Sequence, residues 1–251
     1  MPIIRVNGTE IYHEVRGSGP PVLFIMGATG DAGHFDTVAD LLADEFTVLT
    51  YDRRGNGRSP RPEGWVTTSA QEQVDDATEL LHVLGFAPAA VFGTSAGAAL
   101  ALCLLLRHPA AVHGAMLHEP WLPTLFDNAE EVQNALAAVV AEGMASGGPP
   151  MALQRFWRFV AGDPEWEGLQ DDLRQRMLSS AETLLGVERE AFGSLLPDDE
   201  TLAGIGVPVQ VLASEQSRPF FAQAARPARR APHRAGVLDA RYPHALPGSP
   251  V

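Results

Sequence analysis

Gly93, Ser95 and Gly97 alternate with other residues in Val91-Phe92-Gly93-Thr94-Ser95-Ala96-Gly97-Ala98-Ala99, a G-x-S-x-G spacing where a short apolar run gives way to an Ala/Leu-rich one. A serine on a strand-to-helix turn of this kind has its hydroxyl pushed clear of the backbone, and glycines two positions either side let the chain turn sharply. The next amide, on Ala96, opens a helix whose unpaired N–H groups and dipole favour developing negative charge. The pentapeptide therefore predicts nucleophilic chemistry at Ser95, with the Ala96 amide as half of an oxyanion hole.

Such a serine needs a rigid frame, and the rest of the chain supplies one. Two strands, 3–6 and 10–15, are joined through Asn7-Gly8, a dipeptide suited to a tight hairpin because both residues tolerate positive φ. Apolar runs at 21–26, 47–51, 89–92, 111–117 and 207–213 follow, separated by helix-length segments, and a helix is expected over 96–107. Strands alternating with helices imply an α/β fold, a mostly parallel sheet with helices on both faces. In such a sheet reactive groups collect at the carboxyl ends of strands, where Met26, Asp52, Ser95 and Glu119 all fall.

Residues 121–200 break the alternation with helical stretches near 129–145, 152–160, 171–184 and 187–195, punctuated by Gly147-Gly148-Pro149-Pro150 and Asp163-Pro164. They are expected to form a helical cap inserted into a core built from 1–120 and 201–251. Trp121, Phe156, Trp157, Phe159 and Trp166 supply apolar surface there, either to line a substrate pocket or to pack the cap onto the core. After a helix from 219 to 225, the basic run 226–234 is twice interrupted by proline and should not continue as a helix; a strand at 236–240 follows.

Composition narrows the chemistry. A chain of 251 residues, 45% hydrophobic and 20% charged, can bury a full α/β core. Its formal charge of −13 disfavours nucleic acid and anionic membranes as partners. Cys103, the one cysteine, excludes an internal disulfide and a cysteine-based zinc site, and its place in an apolar helix predicts a core residue. No signal peptide or membrane span is legible, so the cytoplasm is the expected compartment. Gly55-Asn56-Gly57 lacks the third glycine and the helix start that dinucleotide binding needs, and no cofactor or metal is expected.

Tyr51-Asp52-Arg53-Arg54-Gly55-Asn56-Gly57-Arg58-Ser59 is similar to the D-x-R-G-x-G-x-S loop of the α/β-hydrolase superfamily, and Gly93 to Gly97 to its nucleophile turn, so the chain resembles that superfamily over nearly its whole length. Asp52 is read as structural, bracing a glycine-permitted turn. The superfamily's oxyanion loop corresponds to Met26-Gly27-Ala28-Thr29-Gly30, which lacks the usual His-Gly pair; since the donors are main-chain amides, Gly27 or Ala28 is the expected second donor.

The resemblance also implies a triad in the order Ser, acid, His. The position after the seventh strand, where the acid is commonly an Asp, holds Ser217. Glu119, in Met116-Leu117-His118-Glu119-Pro120 after the strand that follows the nucleophile helix, is the favoured acid; this resembles the zearalenone-type lactonases and related esterases, with Glu215 as the alternative. Among eight histidines, His244 matches the superfamily's terminal histidine loop, with Pro243 where a glycine usually stands, and His233 is the alternative base. His118 adjoins the expected acid and is a candidate substrate contact with Trp121, Phe156 and Trp157. The superfamily's closing helix is not legible in 247–251, which implies an exposed sheet face, a tendency to self-associate as a homodimer and poor support for His244.

The expectation is a cofactor-independent serine esterase or lactonase for a medium-sized hydrophobic substrate. An amide or peptide hydrolase and a cofactor-free perhydrolase use the same groups. A catalytically impaired ligand-binding relative is the reading from another class, and failure of Ser95 to react with a fluorophosphonate would distinguish it.

Overall fold

Asn7 and Gly8 take φ of 43° and 76°, so the hairpin turn forms as the dipeptide predicts and joins β1 (Ile3–Val6) to β2 (Thr9–Arg16). The computed structural model describes residues 2–189, 191, 202–214, 218–224 and 235–240. The remaining strands are β3 (Pro21–Ile25), β4 (Thr47–Tyr51), β5 (Ala89–Thr94), β6 (Val112–His118), β7 (Val209–Ser214) and β8 (Ala235–Ala240). They form one sheet in the order β1-β2-β4-β3-β5-β6-β7-β8, antiparallel at the β1-β2-β4 end and parallel from β4 onward. The fold is the expected α/β architecture.

Side chains alternate across the pleat and sort into two cores. Leu23, Ile25, Leu49 and Val91 face α2 (Ala70–Val83) and α3 (Ala96–Arg107), whose Val74, Leu80, Leu100 and Leu104 are fully or almost fully buried. Phe24, Met26 and Val48 pack on the other face with Phe35 and with Ala39 of α1 (Asp36–Leu42). Ser69 caps α2 by accepting a hydrogen bond from the Glu72 amide, which fixes where the helix begins. Cys103 is buried in the α3 core, as its apolar setting predicts.

Both strands flanking the expected site run further than their apolar runs suggest. β5 ends at Thr94 rather than 92 and β6 at His118 rather than 117, because the ladder pairs Thr94 with His118 although neither is apolar.

The helical insertion begins with α4 (Ala129–Val160), which leaves helical geometry at Gly147 (φ −171°, ψ 20°) and Gly148 (φ 70°, ψ −160°), at the expected Gly-Gly-Pro-Pro break. The two halves pack so closely that a Cβ on Gly143 would sit 2.3 Å from the Ala152 Cα. Asp163-Pro164 does not end a helix but begins one, α5 (Asp163–Glu167), where proline in the first turn costs no hydrogen bond. α6 (Asp171–Ser179) is shorter than the expected 171–184, and a π-turn over Thr183–Val187 replaces its last part. Of the helix expected at 187–195, most lies outside the described residues. A short α7 (Pro219–Ala224) follows β7. Among the described residues no helix is long and apolar enough to cross a membrane.

The insertion is stitched to the loop after β4 by polar contacts. Arg176 Nε donates to Asp31 of the neighbouring loop after β3 (2.7 Å), and in the loop after β4 the Gly57 amide donates to Ser180 Oγ (2.9 Å) and the Gly55 carbonyl accepts from Thr183 Oγ1 (2.8 Å). Asp52 acts within this loop as a brace: its carboxylate accepts from the amides of Ala32 and Arg58, both at 2.7 Å, and from the Arg58 side chain.

Candidate active site

Ser95 occupies the one-residue corner between β5 and α3 with φ 55° and ψ −122°, a conformation that L-residues avoid. The corner fits only with its glycines: a Cβ on Gly93 would lie 2.4 Å from the Gly97 carbonyl oxygen, and one on Gly97 2.1 Å from that of Ile25. The Ser95 amide donates to the His118 carbonyl (2.9 Å), and the Ser95 carbonyl accepts from the Trp121 amide (3.1 Å), so neighbouring β6 and its exit loop hold the strained turn. The Ala96 amide lies in the first turn of α3, beside Ser95.

The loop 26–30 runs alongside. A Cβ on Gly27 would fall 2.6 Å from the Thr94 carbonyl oxygen, 3.0 Å from Ser95 Cβ and 3.2 Å from the Ala96 amide nitrogen, so Gly27 lies directly against the serine. Thr29 (φ 78°) and Gly30 (φ 58°) complete a turn closed by a bond from the Gly30 amide to the Gly27 carbonyl (3.1 Å). Behind it, Arg53 donates from Nε to the Met26 carbonyl (3.1 Å) and from Nη2 to the Gly27 carbonyl (2.8 Å).

Glu119 stands at the end of β6 with φ 50°, its amide donating to the Leu212 carbonyl (2.8 Å). Its Oε1 accepts from the Ser214 amide (3.1 Å) and lies 3.6 Å from His118 Nε2. His118 also hydrogen-bonds through Nδ1 to Thr94 Oγ1 (3.0 Å) and stacks on Phe92, which ties its ring to the strand ends. Ser95, Gly27 and Glu119 thus sit at the carboxyl ends of adjacent strands β5, β3 and β6. His244 and the alternatives His233 and Glu215 lie outside the described residues.

The aromatic residues divide. Trp121 packs with Phe126, Phe220 and Phe221, with ring centroids 5.5 to 6.3 Å apart. Phe156 packs onto the core of the insertion around Leu153, Trp166 and Met177. Trp157 is the one brought to the loop beside Ser95: it stacks on His34 (5.1 Å) and packs in the clusters that contain Met26 and Ala28. Trp157 Nε1, His34 Nε2 and Thr29 Oγ1 are shielded from solvent without a hydrogen-bond partner in the protein. In the sequence His34, which precedes the nucleophile, reads as a surface or satisfied core histidine, because a lone histidine carries no periodic signal; the structure buries it with Nε2 unpartnered.

Burial pushes the His34 pKa down to about 4, with Asp31 opposing and Arg176 reinforcing the shift. The unfolded state therefore takes up a proton near pH 6.5 that the folded state refuses until about 4, and stability falls as pH drops through that window. Between pH 6.5 and 5, replacing His34 by Gln is expected to remove up to about 1.4 kcal/mol of this loss per pH unit, read from urea midpoints of the two proteins.

A cavity of about 890 Å³ opens away from Ser95, at the start of α4, lined by Phe126, Asp127, Asn128 and Glu131 among others; among the described residues its lining holds no serine, cysteine or histidine.

A family model described as alpha/beta hydrolase fold matches residues 20–246. Among curated proteins the chain is 43% identical over 127 residues to the uncharacterized hydrolase YraK of Bacillus subtilis, covering 51% of this chain and 47% of that protein. It is 33% identical over 153 residues to the zearalenone hydrolase of Bionectria ochroleuca, 56% of this chain and 57% of that one. A zearalenone hydrolase of Cladophialophora bantiana is 27% identical over 224 residues, 87% of this chain and 81% of that one. The chain thus spans about half the length of the first two relatives. Among solved structures, an alpha/beta hydrolase from Sphaerobacter thermophilus aligns with a TM-score of 0.72 at 26% identity, covering 97% of this chain and 94% of that one.

Proposed function

Because the chain belongs to the alpha/beta hydrolase fold family, we propose that it is a serine hydrolase that cleaves a carboxylic ester or lactone of a medium-sized hydrophobic substrate through an acyl-enzyme. The observation that carries the reading is the strained Ser95 turn pressed against Gly27, with the Glu119 carboxylate one strand away.

Ser95 Oγ attacks the carbonyl carbon while His244 accepts the hydroxyl proton, and Glu119 orients the imidazole and stabilises the imidazolium. The amides of Ala96 and of Gly27 or Ala28 hold the oxyanion. Collapse of the tetrahedral intermediate expels the alcohol, protonated by His244. Water activated by the same imidazole then releases the acid and restores Ser95. The helical insertion carrying α4, α5 and α6 acts as a cap that excludes water from this site.

Two further observations support the substrate class. Trp157 beside the loop offers an apolar wall. The names of the two fungal relatives favour a lactone among esters.

The test is hydrolysis of a short-chain p-nitrophenyl ester and a panel of macrocyclic and small lactones, with fluorophosphonate labelling of Ser95 read by peptide mass. Turnover and labelling are expected in the wild type; a folded protein inert to both would overturn the reading. Gly27→Ala, whose new methyl meets Thr94, Ser95 and Ala96, is expected to lower kcat on the order of a hundredfold, about the cost of one lost oxyanion donor, with the far-ultraviolet spectrum unchanged.

A further inference from the structure

Arg53 and Glu188 are both 0% exposed, and they face each other across the seam between the loop after β4 and the end of the helical insertion. Arg53 Nη1 lies 2.5 Å from Glu188 Oε1 and Nη2 3.1 Å from Oε2, a two-pronged pair. With Nε on the Met26 carbonyl, Nη2 also on the Gly27 carbonyl and Nη1 also on Gln73 Oε1 (3.3 Å), all five guanidinium N–H donors have a partner. Glu188 Oε1 is held in turn by Asn56 Nδ2 (2.9 Å) and Gln73 Nε2 (3.3 Å).

The geometry at Met26 and Gly27 decides what this does. In a trans peptide the carbonyl and the following N–H point in opposite directions. Arg53 draws the Met26 and Gly27 carbonyls to itself, so the amides in the same two peptide planes, those of Gly27 and Ala28, are turned away from it. These are the two candidates for the second oxyanion donor, and Gly27 lies against Ser95 on its other side. The Gly30 carbonyl accepts from the Arg53 amide (2.8 Å), which anchors the loop to the same residue a third time.

We infer that Glu188, carried by the helical insertion, is a positioning residue for the oxyanion hole: its carboxylate fixes the Arg53 guanidinium, which fixes the two peptide planes that present an amide to the substrate oxyanion. The site is thereby complete only when the insertion is docked. The inference rests on the reading of Ser95 and the 27–28 amides given above.

The test uses the full chain. Glu188→Gln keeps the shape and removes the charge; Glu188→Asp keeps the charge and withdraws it by one methylene, so it folds even where the glutamine leaves Arg53 uncompensated. Both are expected to lower kcat ten- to a hundredfold with KM within about threefold, the pattern of an interaction made only in the transition state. Affinity for an arylboronic acid, whose tetrahedral adduct on Ser95 places an oxygen in the oxyanion hole, should fall in parallel. Affinity for a non-reacting product alcohol should not change. Thr183→Val, on the same turn but bonded to the Gly55 carbonyl, is the structural control: it should lower the melting temperature and leave kcat and boronate affinity unchanged.

Glu188 variants with wild-type kcat and boronate affinity, or with alcohol affinity lost to the same degree, would overturn the inference while leaving the serine hydrolase reading intact. Fluorophosphonate labelling of wild-type Ser95 separates the two: without it both fall together, and with it only the role of Glu188 is at stake.

Discussion

Ser95→Ala is expected to leave a folded protein whose kcat on a p-nitrophenyl ester has dropped by about ten-thousand-fold or more, and which a fluorophosphonate no longer labels. The loss is that large because nucleophile and base act as one unit, so removing the hydroxyl leaves the base nothing to activate. Ser95→Gly adds a second, opposite result. At φ 55° and ψ −122° the serine holds the conformation of the first central residue of a type II′ turn, a place that favours glycine. Glycine there should raise stability by about 1 kcal/mol while abolishing turnover, since strain of this kind costs on the order of 1–3 kcal/mol. Denaturant midpoints of the three proteins check it. A Ser95→Ala protein with kcat within tenfold of wild type would remove Ser95 from the mechanism.

Glu119→Gln should cost about a thousand- to ten-thousand-fold in kcat, with KM little changed, because the amide keeps the size of the side chain but cannot offset the charge of an imidazolium. The carboxylate is held in a fixed place. Its Oε1 is anchored by the Ser214 amide at the end of β7, and its own amide is tied to the Leu212 carbonyl, so β7 holds it at both backbone and side chain. Glu119→Ala is the stricter comparison, for it also frees the Ser214 amide. Steady-state kinetics on one ester decide the matter: a Glu119→Gln enzyme within threefold of wild type would transfer the role to another carboxylate, Glu215 first.

Much of this frame is written in short stretches of the chain. Asn7-Gly8 predicts its hairpin and the Gly93/Gly97 spacing its corner, because each rests on φ values or close approaches that few other residues allow. The apolar run of α3 predicts its bounds for a related reason, since nearly every side chain from Ala96 to Leu105 is buried. Strand ends are less legible. An apolar count stops at Phe92 and Leu117, whereas the ladder continues to Thr94 and His118, whose polar side chains bond to each other.

Long-range charge pairing is not legible at all. Arg53 occupies the variable position of its loop motif, and nothing in the residues around Glu188 marks it as a partner. Only packing of the π-turn against the loop after β4 buries both. The positive φ of Glu119 is likewise set by the bonds to β7, and nothing local in His118-Glu119-Pro120 announces it. Of the three aromatic residues expected at the pocket, only Trp157 reaches the loop beside Ser95, because Trp121 is drawn into the Phe126, Phe220 and Phe221 group and Phe156 into the insertion.

The Arg53–Glu188 pair has a consequence for engineering. The two residues are 135 positions apart and belong to parts of the chain that look separable. A chimaera that grafts a different helical block onto this sheet, to change which substrates enter, would leave the arginine buried without its counter-charge unless the donor block brings a carboxylate to the same point. Removing one partner of a buried ion pair costs about 3–5 kcal/mol, a large share of what holds a domain of this kind together. Such transplants should therefore succeed in two ways only: with a glutamate retained at the graft boundary, or with Arg53 replaced together with it.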